Sequence, residues 1–578
     1  MLHPFKTFPK ASERNVWERL ATSTEKKNLT AAILAQAEVA LTEPVPPLTA
    51  TLYMQYTRNG NRSHYEANYF GRRSRLSALV LAEALEHQGR FIDKIIDFIW
   101  AILGEPSWCV PAHLFHEGTT RSGKPDPLPT TEHENVDLFA AETGVFLAMI
   151  LDFMSEELAD ISPHLVQRIR LEVLRRVLIP TETDLARNWW SRTTCNWNPW
   201  ICSNLLWTAN VIFADDPARF DAYLKILLPS IKNYYDAFPE DGGCDEGPGY
   251  WNLSPPKYFL FMEGLRRASD GAISCIGDPK FKRMVGYIVD AWYEQDRNVH
   301  FADCGGRHGL NTGVLRYMSE QVGVPQGLAL ADMLDDCIDI FPKPHSALLP
   351  VLFDLFTSRH PEVTLSRRAF SVYPKLQQVF LKRGELFLAL KGGHNHESHN
   401  HNDIGQFVIA QNGRFTVLDL GSATYDDTTF SEQRYNNYPQ SSLSHNPLVF
   451  NGIPQEAGNG HAKQFEVSGD EQAFTCKMEI SSAYPPSLGL KSYLRTFKYD
   501  GYSLTVQDTW KAEFPLKPTM TLLHETTETP VQCALPKTTE AYPISDAWLS
   551  QTWGDMLYRT IISAPEAMEG TITLCFPL

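Results

Sequence analysis

The sequence predicts an α+β multidomain fold, in which an N-terminal antiparallel helical array or toroid is followed by a C-terminal antiparallel β-sandwich. Three observations predict it. The chain of 578 residues exceeds what one hydrophobic core usually organises. Its apolar residues recur with a helical period from about residue 70 to residue 340, and beyond Pro361 the period changes to two. We therefore expect a helical domain over residues 1–345 and a β-sandwich domain over residues 346–578.

The helical part is predicted from apolar stripes that are bounded by start and stop signals. One helix is expected to begin at Ser162 and Pro163, because serine is a favoured N-cap and proline suits the first helical position. Apolar residues between 166 and 177 then share one face, and Pro180 is expected to end the helix. Many helices of similar length without a fixed sequence repeat favour an antiparallel array or a toroid.

The β part is predicted from short strand candidates joined by hairpin turns. Residues 385–391 would place apolar side chains on both faces of a strand, which is typical of a strand buried on both sides. Asn412-Gly413 and Asp500-Gly501 each separate two strand-like runs, and these dipeptides are the strongest short-range hairpin signals. Strands and turns continue to the end of the chain, as expected of a β-sandwich.

Composition restricts the function classes. The formal net charge of −16 argues against a nucleic-acid binder, whereas an acidic shell is compatible with a basic cleft that holds an anionic substrate. The sequence contains no run of eighteen apolar residues, so no membrane-spanning helix is predicted. The ten cysteines are scattered without a C-x-x-C pair, which is typical of reduced, buried thiols. Because the N-terminus also lacks the apolar region of a signal peptide, a cytoplasmic location is expected, or a periplasmic or secreted one if a leader has been removed.

A histidine-rich segment, residues 394–403, is the densest chemical signal in the chain. Four of the eighteen histidines lie within it, and it directly precedes the Asn412-Gly413 turn. A surface loop rich in histidine is the alternative, but metal binding or catalysis fits the clustering better. His401 has Asp419 on the returning strand of the same hairpin, and His445 follows. Two imidazoles and one carboxylate suit one divalent ion, Zn²⁺ or Mn²⁺.

Two further loops carry candidate residues for binding or catalysis. Residues 241–251 hold four glycines and a proline, which fix a loop that presents Tyr250 and Trp251 just before a helix. Tyr250 is either a working hydroxyl or a packed aromatic with a hydrogen-bonded hydroxyl. Asn196 and Asn198 stand beside two tryptophans at another helix start, where capping and packing are the alternative roles.

Together these motifs resemble the heparinase II/III-like polysaccharide lyases, a family whose relatives degrade glycosaminoglycans and alginate. The most specific part is the run ESHNHNDIGQFVIAQNGRFTVLDLGSATY over residues 397–425, followed by RYNNYPQSSLSHN up to residue 446. The resemblance implies an incomplete (α/α) toroid before the β-sandwich. It also implies a metal in the β-domain near a cleft.

The resemblance assigns roles to the residues that match the family motifs. Asn196, with Asn198 as the less certain choice, matches the residue that meets the substrate carboxylate. Tyr250 and His399 match the catalytic tyrosine and histidine. The metal ligands that the resemblance implies are His401, Asp419 and His445, and Tyr435 or Tyr438 stands near the position of a second active-site tyrosine. The residues expected to bind substrate are Asn198, Trp251, Tyr435 and Tyr438.

The implied reaction is β-elimination on an acidic, uronate-containing polysaccharide. A base removes the proton from C5, an amide stabilises the charge that develops on the carboxylate, and an acid protonates the leaving O4. One alternative is a hydrolase that pairs carboxylates such as Asp245 and Glu246 or Asp303. The other is a non-catalytic glycan-binding protein. Nucleic acid and membrane partners are not expected, and the sequence leaves the oligomeric state and the particular glycan open.

Overall fold

The computed structural model describes residues 1–114, 120, 125–307, 309–337, 348–528 and 531–578. The chain divides into two compact units. Unit 1 comprises Met1–Ala237, Asn252–Asp278 and Leu310–Val363, and unit 2 comprises Phe238–Trp251, Pro279–Gly309 and Thr364–Leu578. The predicted domain boundary between residues 345 and 346 lies outside the described residues. Unit 2 therefore takes two segments from the part of the sequence that was predicted to be helical.

Unit 1 is helical. Its centre is a pair of almost fully buried helices, α7 and α10, which pack against each other, and α13 packs against α10. The helices of the described chain are α1 (Arg14–Ala21), α2 (Lys27–Thr42), α3 (Ala50–Tyr53), α4 (Gln55–Asn59), α5 (Ser63–Glu86), α6 (Ile92–Leu103), α7 (Leu138–Ile161), α8 (Pro163–Val173), α9 (Ile179–Thr183), α10 (Trp197–Ile212), α11 (Pro217–Ala237), α12 (Gly247–Trp251), α13 (Pro255–Ala268), α14 (Pro279–Asp290), α15 (Thr312–Val322), α16 (Pro325–Cys337), α17 (Leu348–Phe356) and α18 (Ala547–Trp553).

Helix α7 is the one helix among the described residues that is long and apolar enough to cross a membrane. Its most apolar window is 89% buried within the protein. Length and composition alone do not separate a spanning helix from the central helix of a packed unit, and the burial is typical of the latter.

The helix predicted to start at Ser162 begins where expected, but its predicted end is wrong. Helix α8 starts at Pro163, and instead of ending at Pro180 the helical path continues through a π turn, Leu174–Leu178, into α9. Pro180 then occupies one of the first positions of α9, where a missing backbone N–H costs little. The wider π turn accommodates the proline, which the sequence pattern alone does not reveal.

Unit 2 is built on antiparallel sheets around one shared apolar core. A small β1–β2 pair stands apart from three larger sheets, whose strand orders are β16-β12-β11-β10-β9, β14-β15-β13-β8 and β3-β4-β5-β6-β7. The strands are β1 (Trp292–Glu294), β2 (Arg297–Asn298), β3 (Phe370–Tyr373), β4 (Gln378–Arg383), β5 (Leu386–Lys391), β6 (Phe407–Gln411), β7 (Arg414–Val417), β8 (Val449–Phe450), β9 (Lys463–Gly469), β10 (Phe474–Glu479), β11 (Leu490–Tyr499), β12 (Ser503–Leu516), β13 (Pro518–His524), β14 (Lys537–Pro543), β15 (Met556–Ser563) and β16 (Ala567–Pro577).

The hairpins predicted from the turn residues are confirmed. Asn412 and Gly413 join β6 to β7, and both have positive φ, 50° and 74°, as a type I′ turn requires. Asp500 and Gly501 connect β11 to β12. Strand β5 is buried along its whole length, in keeping with its continuous apolar pattern. It leads directly into the histidine-rich segment, which therefore starts from a rigid strand end.

Candidate functional site

Tyr250 lies at the end of a loop whose backbone conformation and close packing only glycine allows. Gly247 has φ +82°, and a Cβ there would clash with the carbonyl oxygen of Phe301. At Gly249 a Cβ would lie 3.3 Å from the Cα of Cys304. The glycine-rich loop of unit 2 therefore packs closely against the segment 301–304 of the same unit. This close approach brings Tyr250, on the short helix α12, near the residues that follow Phe301.

His399 forms a stacked pair with Tyr250. The two ring centroids lie 3.6 Å apart with an interplanar angle of 19°. His399 has φ 55°, a left-handed backbone that is uncommon for a residue with a side chain. Its Nδ1 is 3.0 Å from Asp303 Oδ2, and its Nε2 is 3.6 Å from Glu246 Oε2, beyond a direct hydrogen bond. The imidazole is thus oriented by Asp303 on one side and faces Glu246 on the other.

Asp303 is a fully enclosed carboxylate that holds three cationic or imidazole groups. Besides His399, it accepts from His401 Nε2 at 2.9 Å and from the guanidinium of Arg434 at 2.8 Å. Burial alone would raise the pKa of this carboxyl. Arg434 and the two histidine hydrogen bonds outweigh that effect and hold the pKa of Asp303 well below its usual range. The residue is therefore an anionic anchor, with no proton to give.

Tyr425 supplies a second tyrosine hydroxyl at the site. Its oxygen lies 2.9 Å from the hydroxyl oxygen of Tyr250. Burial, with Asp303 nearby, raises the pKa of Tyr425 well above its usual value, so this hydroxyl stays protonated. Tyr425 can therefore donate a hydrogen bond to the Tyr250 oxygen and stabilise negative charge there.

His401, Asp419 and His445 form a buried group suited to a metal ion. One donor atom from each residue lies within 4.8 Å of the others, and all three side chains are inaccessible to solvent. His401 Nδ1, Asp419 Oδ2 and both ring nitrogens of His445 have no hydrogen-bond partner among the described residues. Buried polar atoms are normally paired, and a divalent cation would pair one such atom of each residue. The residues present therefore fit the predicted ion.

The charges of His401 and Asp419 agree with metal binding, whereas for His445 the effect of burial is outweighed by the neighbouring Asp419, which raises its pKa. Burial lowers the pKa of His401, which keeps the imidazole neutral and able to bind a metal through its lone pair. Burial would raise the pKa of Asp419, but His445, at 3.1 Å, and His401 lower it below its usual value. Asp419 is also fixed from its backbone, because its N–H donates to His300 Nε2 and its Oδ1 accepts from Gly421 N.

Two predicted substrate-side residues, Trp251 and Asn198, are buried structural groups instead. Trp251 is 0% exposed, and its indole N–H donates to the carbonyl of Met284. Asn198 is also 0% exposed, and its amide donates to the carbonyls of Thr193 and Ser230. Since both polar groups are already paired inside a core, neither is available to a glycan. These two assignments are corrected accordingly.

The predicted second active-site tyrosine was sought at Tyr435 or Tyr438. The hydroxyl of Tyr438 accepts from Arg559 at 3.4 Å, and its ring packs beside Tyr542. Tyr435 accepts a hydrogen bond from the side chain of Asn400, which directly follows His399. The hydroxyl beside Tyr250 belongs to Tyr425, and the role of Tyr435 or Tyr438 stays a prediction.

Asn196 lies in unit 1, at the start of α10, and its side chain is buried. Tyr250 and His399 both lie in unit 2. The role of Asn196 at a substrate carboxylate therefore stays a prediction.

Sequence reasoning missed three residues that the structure places at the site: Asp303 as an anchor, Tyr425 and Arg434. Tyr425 is the last residue of the run over residues 397–425, and Arg434 is the first residue of the quoted segment after it, so both lie in the region that carries the resemblance. Nothing in the sequence distinguished their side chains from packed ones. Asp303 was noted only as a hydrolase carboxylate. It lies 96 residues before His399, and no local pattern joins the two.

Two buried carboxylates of the histidine-rich segment contact a buried lysine. Lys391, at the end of β5, contacts Glu397 at 3.2 Å and Asp403 at 2.5 Å. Burial raises the pKa of Glu397 to about 7, with Lys391 opposing the rise and Asp403 adding to it. A folded-state pKa above the unfolded one means that the neutral carboxyl stabilises the fold at low pH. This contribution is lost as the pH rises from about 4.5 to about 7.

Glu397→Gln tests this buried carboxyl, because glutamine resembles its neutral form at every pH. We expect the melting temperature of the variant minus that of wild type to be higher at pH 8 than at pH 5. Differential scanning fluorimetry measures this difference. Glu466→Gln, at an exposed position of β9, is the matched control and should show no such trend. Equal differences at both pH values for Glu397→Gln would contradict the shifted pKa.

A family model matches part of this chain. Residues 366–541 match the model described as "Heparinase II/III-like, C-terminal". The resemblance predicted from the sequence motifs is thereby confirmed for the C-terminal part of the chain. No curated protein sequence matches the chain significantly.

Solved structures with a similar fold cover nearly the whole chain. A crystal structure of heparinase III matches with a TM-score of 0.67 and 12% identity, over 98% of this chain and 90% of the other. The heparan sulfate lyase HepC from Pedobacter heparinus matches with a TM-score of 0.57 and 12% identity, over 98% and 93%. The chondroitin AC lyase of Streptomyces coelicolor A3, in complex with chondroitin sulphate, gives 0.55 and 9%, over 98% and 82%. The predicted fold class, a helical toroid followed by an antiparallel β-sandwich, is confirmed.

Proposed function

Because its C-terminal part is heparinase II/III-like and its fold is that of heparinase and chondroitin lyase structures, we propose that this protein is a polysaccharide lyase. Its substrate class is an acidic, uronate-containing glycan, such as a glycosaminoglycan or alginate, and the reaction is β-elimination. The observation that carries the proposal is the stacked Tyr250–His399 pair, oriented by Asp303 and Tyr425.

The two residues of this pair can carry both protons of an elimination. Removal of the C5 proton leaves an electron pair that forms the C4–C5 double bond, while the C4–O4 bond breaks and O4 takes a proton. Tyr250 is the acid that protonates O4, and it can also serve as the base when Tyr425 stabilises its anion. His399 is its partner in proton transfer. If His399 Nε2 takes a proton, the imidazolium lies between the side chains of Asp303 and Glu246.

The proposed metal ion would be held by His401, Asp419 and His445. When bound, a divalent ion supplies a fixed positive charge that keeps the loop of unit 2 in shape. Asn196 keeps the role of stabilising the charge on the substrate carboxylate, as the resemblance implies.

The arrangement does not favour a hydrolase. A hydrolase needs one carboxylic acid that keeps a proton and a second carboxylate at a set separation. Asp303 is held ionised by Arg434 and two histidines, so it cannot be the acid. Asp245 accepts the backbone N–H of Glu246, which makes it part of the loop structure. Asp303 and Asp245 therefore have other uses, and Glu246 Oε2 lies 3.6 Å from His399 Nε2.

A panel of glycans tests the proposed reaction. The protein should be incubated with heparan sulfate, chondroitin sulfate, dermatan sulfate, hyaluronan and alginate, and with a neutral glucan as the control without uronate. We expect at least one uronate glycan to yield new chain ends together with the ultraviolet absorbance of a C4–C5 unsaturated uronate. The neutral glucan should remain intact.

Two results would contradict the proposal. New reducing ends without the absorbance would indicate hydrolysis. Binding without any new ends, across the whole panel and with Zn²⁺ or Mn²⁺ added, would indicate a glycan-binding protein.

A further inference from the structure

One carboxylate, Asp303, joins the proton-transfer pair to the metal group. Its Oδ2 lies 3.0 Å from His399 Nδ1, and its Oδ1 lies 2.9 Å from His401 Nε2. The two histidines are separated by a single residue, and both imidazoles meet the same buried side chain. Each oxygen of Asp303 is therefore used by a residue of a different functional group.

This contact determines which nitrogen of each imidazole carries a proton. A carboxylate held ionised by Arg434 can only accept hydrogen bonds, so both histidine nitrogens that face Asp303 must be the N–H donors. In a neutral imidazole the other nitrogen then has a free lone pair. For His399 this is Nε2, the atom needed for proton transfer. For His401 it is Nδ1, the atom that has no hydrogen-bond partner among the described residues.

The backbone on both sides of the contact is built to hold it. Ala302 and His399 both have left-handed backbones, with φ 60° and 55°, although neither is glycine. Such conformations persist only where the surrounding structure enforces them, and they cluster at functional sites. Arg434 adds a further constraint, because it donates to Asp303, to the carbonyl of Asn400 and to the carbonyl of Thr429. The loop that carries both histidines is thus tied to the carboxylate.

We infer that Asp303 is a positioning residue that serves two groups at once, setting the tautomer of His399 for proton transfer and that of His401 for metal binding. This inference rests on the proposed function for its first half only. The second half concerns metal affinity, which is measured without any substrate.

Asp303→Asn is the test, because asparagine keeps the size of the side chain but has a single acceptor oxygen. It cannot accept from both imidazoles in these tautomers. We expect the affinity for Zn²⁺, titrated against a competing chelator, to fall about 10- to 100-fold. With the metal site saturated, we expect kcat to remain about 10- to 100-fold below wild type while KM changes little, since Asp303 is buried behind His399.

Asp290→Asn is the matched control. Asp290 is also a buried aspartate of unit 2, and it accepts from Arg368 and from the hydroxyl of Tyr373. Its loss removes a comparable buried charge far from the histidines along the chain, so a general loss of stability would affect both variants. Zn²⁺ affinity and kcat should stay near wild type in Asp290→Asn.

The two halves can fail separately. Unchanged Zn²⁺ affinity in Asp303→Asn would overturn the role at His401, and full recovery of kcat at saturating metal would overturn the role at His399. If wild type cleaves no glycan, the proposed function fails. The His399 half is then decided by NMR of ¹⁵N-histidine-labelled protein, in which the Nδ1–H signal, assigned by its absence in His399→Ala, should be lost or displaced in Asp303→Asn. An unmoved signal would overturn it.

Discussion

Tyr250→Phe is expected to lower kcat by roughly 10²- to 10⁴-fold on the best uronate glycan, which is the usual loss when a general acid–base group is removed. The change deletes one oxygen and leaves the aromatic ring, so the stacking on His399 should survive. What is lost is the proton for O4 and the hydrogen bond with Tyr425. The measurement is the steady-state rate of double-bond formation, with KM determined alongside.

The control for this variant is Tyr499→Phe. Tyr499 is a buried tyrosine of the same unit whose hydroxyl accepts from Arg383, and the variant should keep near wild-type turnover. If Tyr250→Phe also kept near wild-type turnover, the mechanism as proposed would be wrong. The proton donor would then have to be Tyr425, and Tyr425→Phe would carry the loss instead.

His401→Ala is expected to empty the metal site and to destabilise the protein. Wild type purified without added metal should contain about one equivalent of Zn²⁺ or Mn²⁺, as one three-ligand site implies. The variant should lose nearly all of it. A ligand present at a thousandfold above its Kd stabilises a fold by about 4 kcal/mol. For a unit of this size that corresponds to a melting temperature lower by roughly 8–16 °C. Elemental analysis and thermal unfolding measure the two effects.

His399→Ala separates catalysis from metal binding. Its side chain is not among the three grouped donors, so this variant should lose turnover while its metal content stays the same. Chelation of wild type should reproduce the lower melting temperature of His401→Ala. Full metal content in His401→Ala would remove this residue from the ligand set.

The site could be predicted from sequence where its residues follow one another on a single hairpin. His399, His401 and Asp419 are spaced by β6, the Asn412-Gly413 turn and β7, so local pattern was sufficient to bring them together. Tyr250 was found because its glycines marked a fixed loop. In these cases the physical constraint acts between residues that are neighbours in the sequence.

The sequence was insufficient where burial or long-range contact decides the role. Trp251 stands beside Tyr250 in the same loop, and nothing local distinguishes a ring that faces solvent from one that is enclosed. Asp303 belongs to a stretch with no strong periodicity, and its partners lie about a hundred residues away. The path of the helix past Pro180 depends likewise on a π turn that has no sequence signature.

Unit 2 consists of three chain segments that alternate in sequence with those of unit 1, and this limits how the protein can have evolved. Tyr250 lies in the segment Phe238–Trp251, Asp303 in Pro279–Gly309, and the histidines in Thr364–Leu578. A genetic exchange that replaced only the last segment would separate His399 and His401 from the carboxylate and the tyrosine that orient them. The β-sandwich is therefore not a portable module, and recombination between homologues would preserve the site only if all three segments were inherited together.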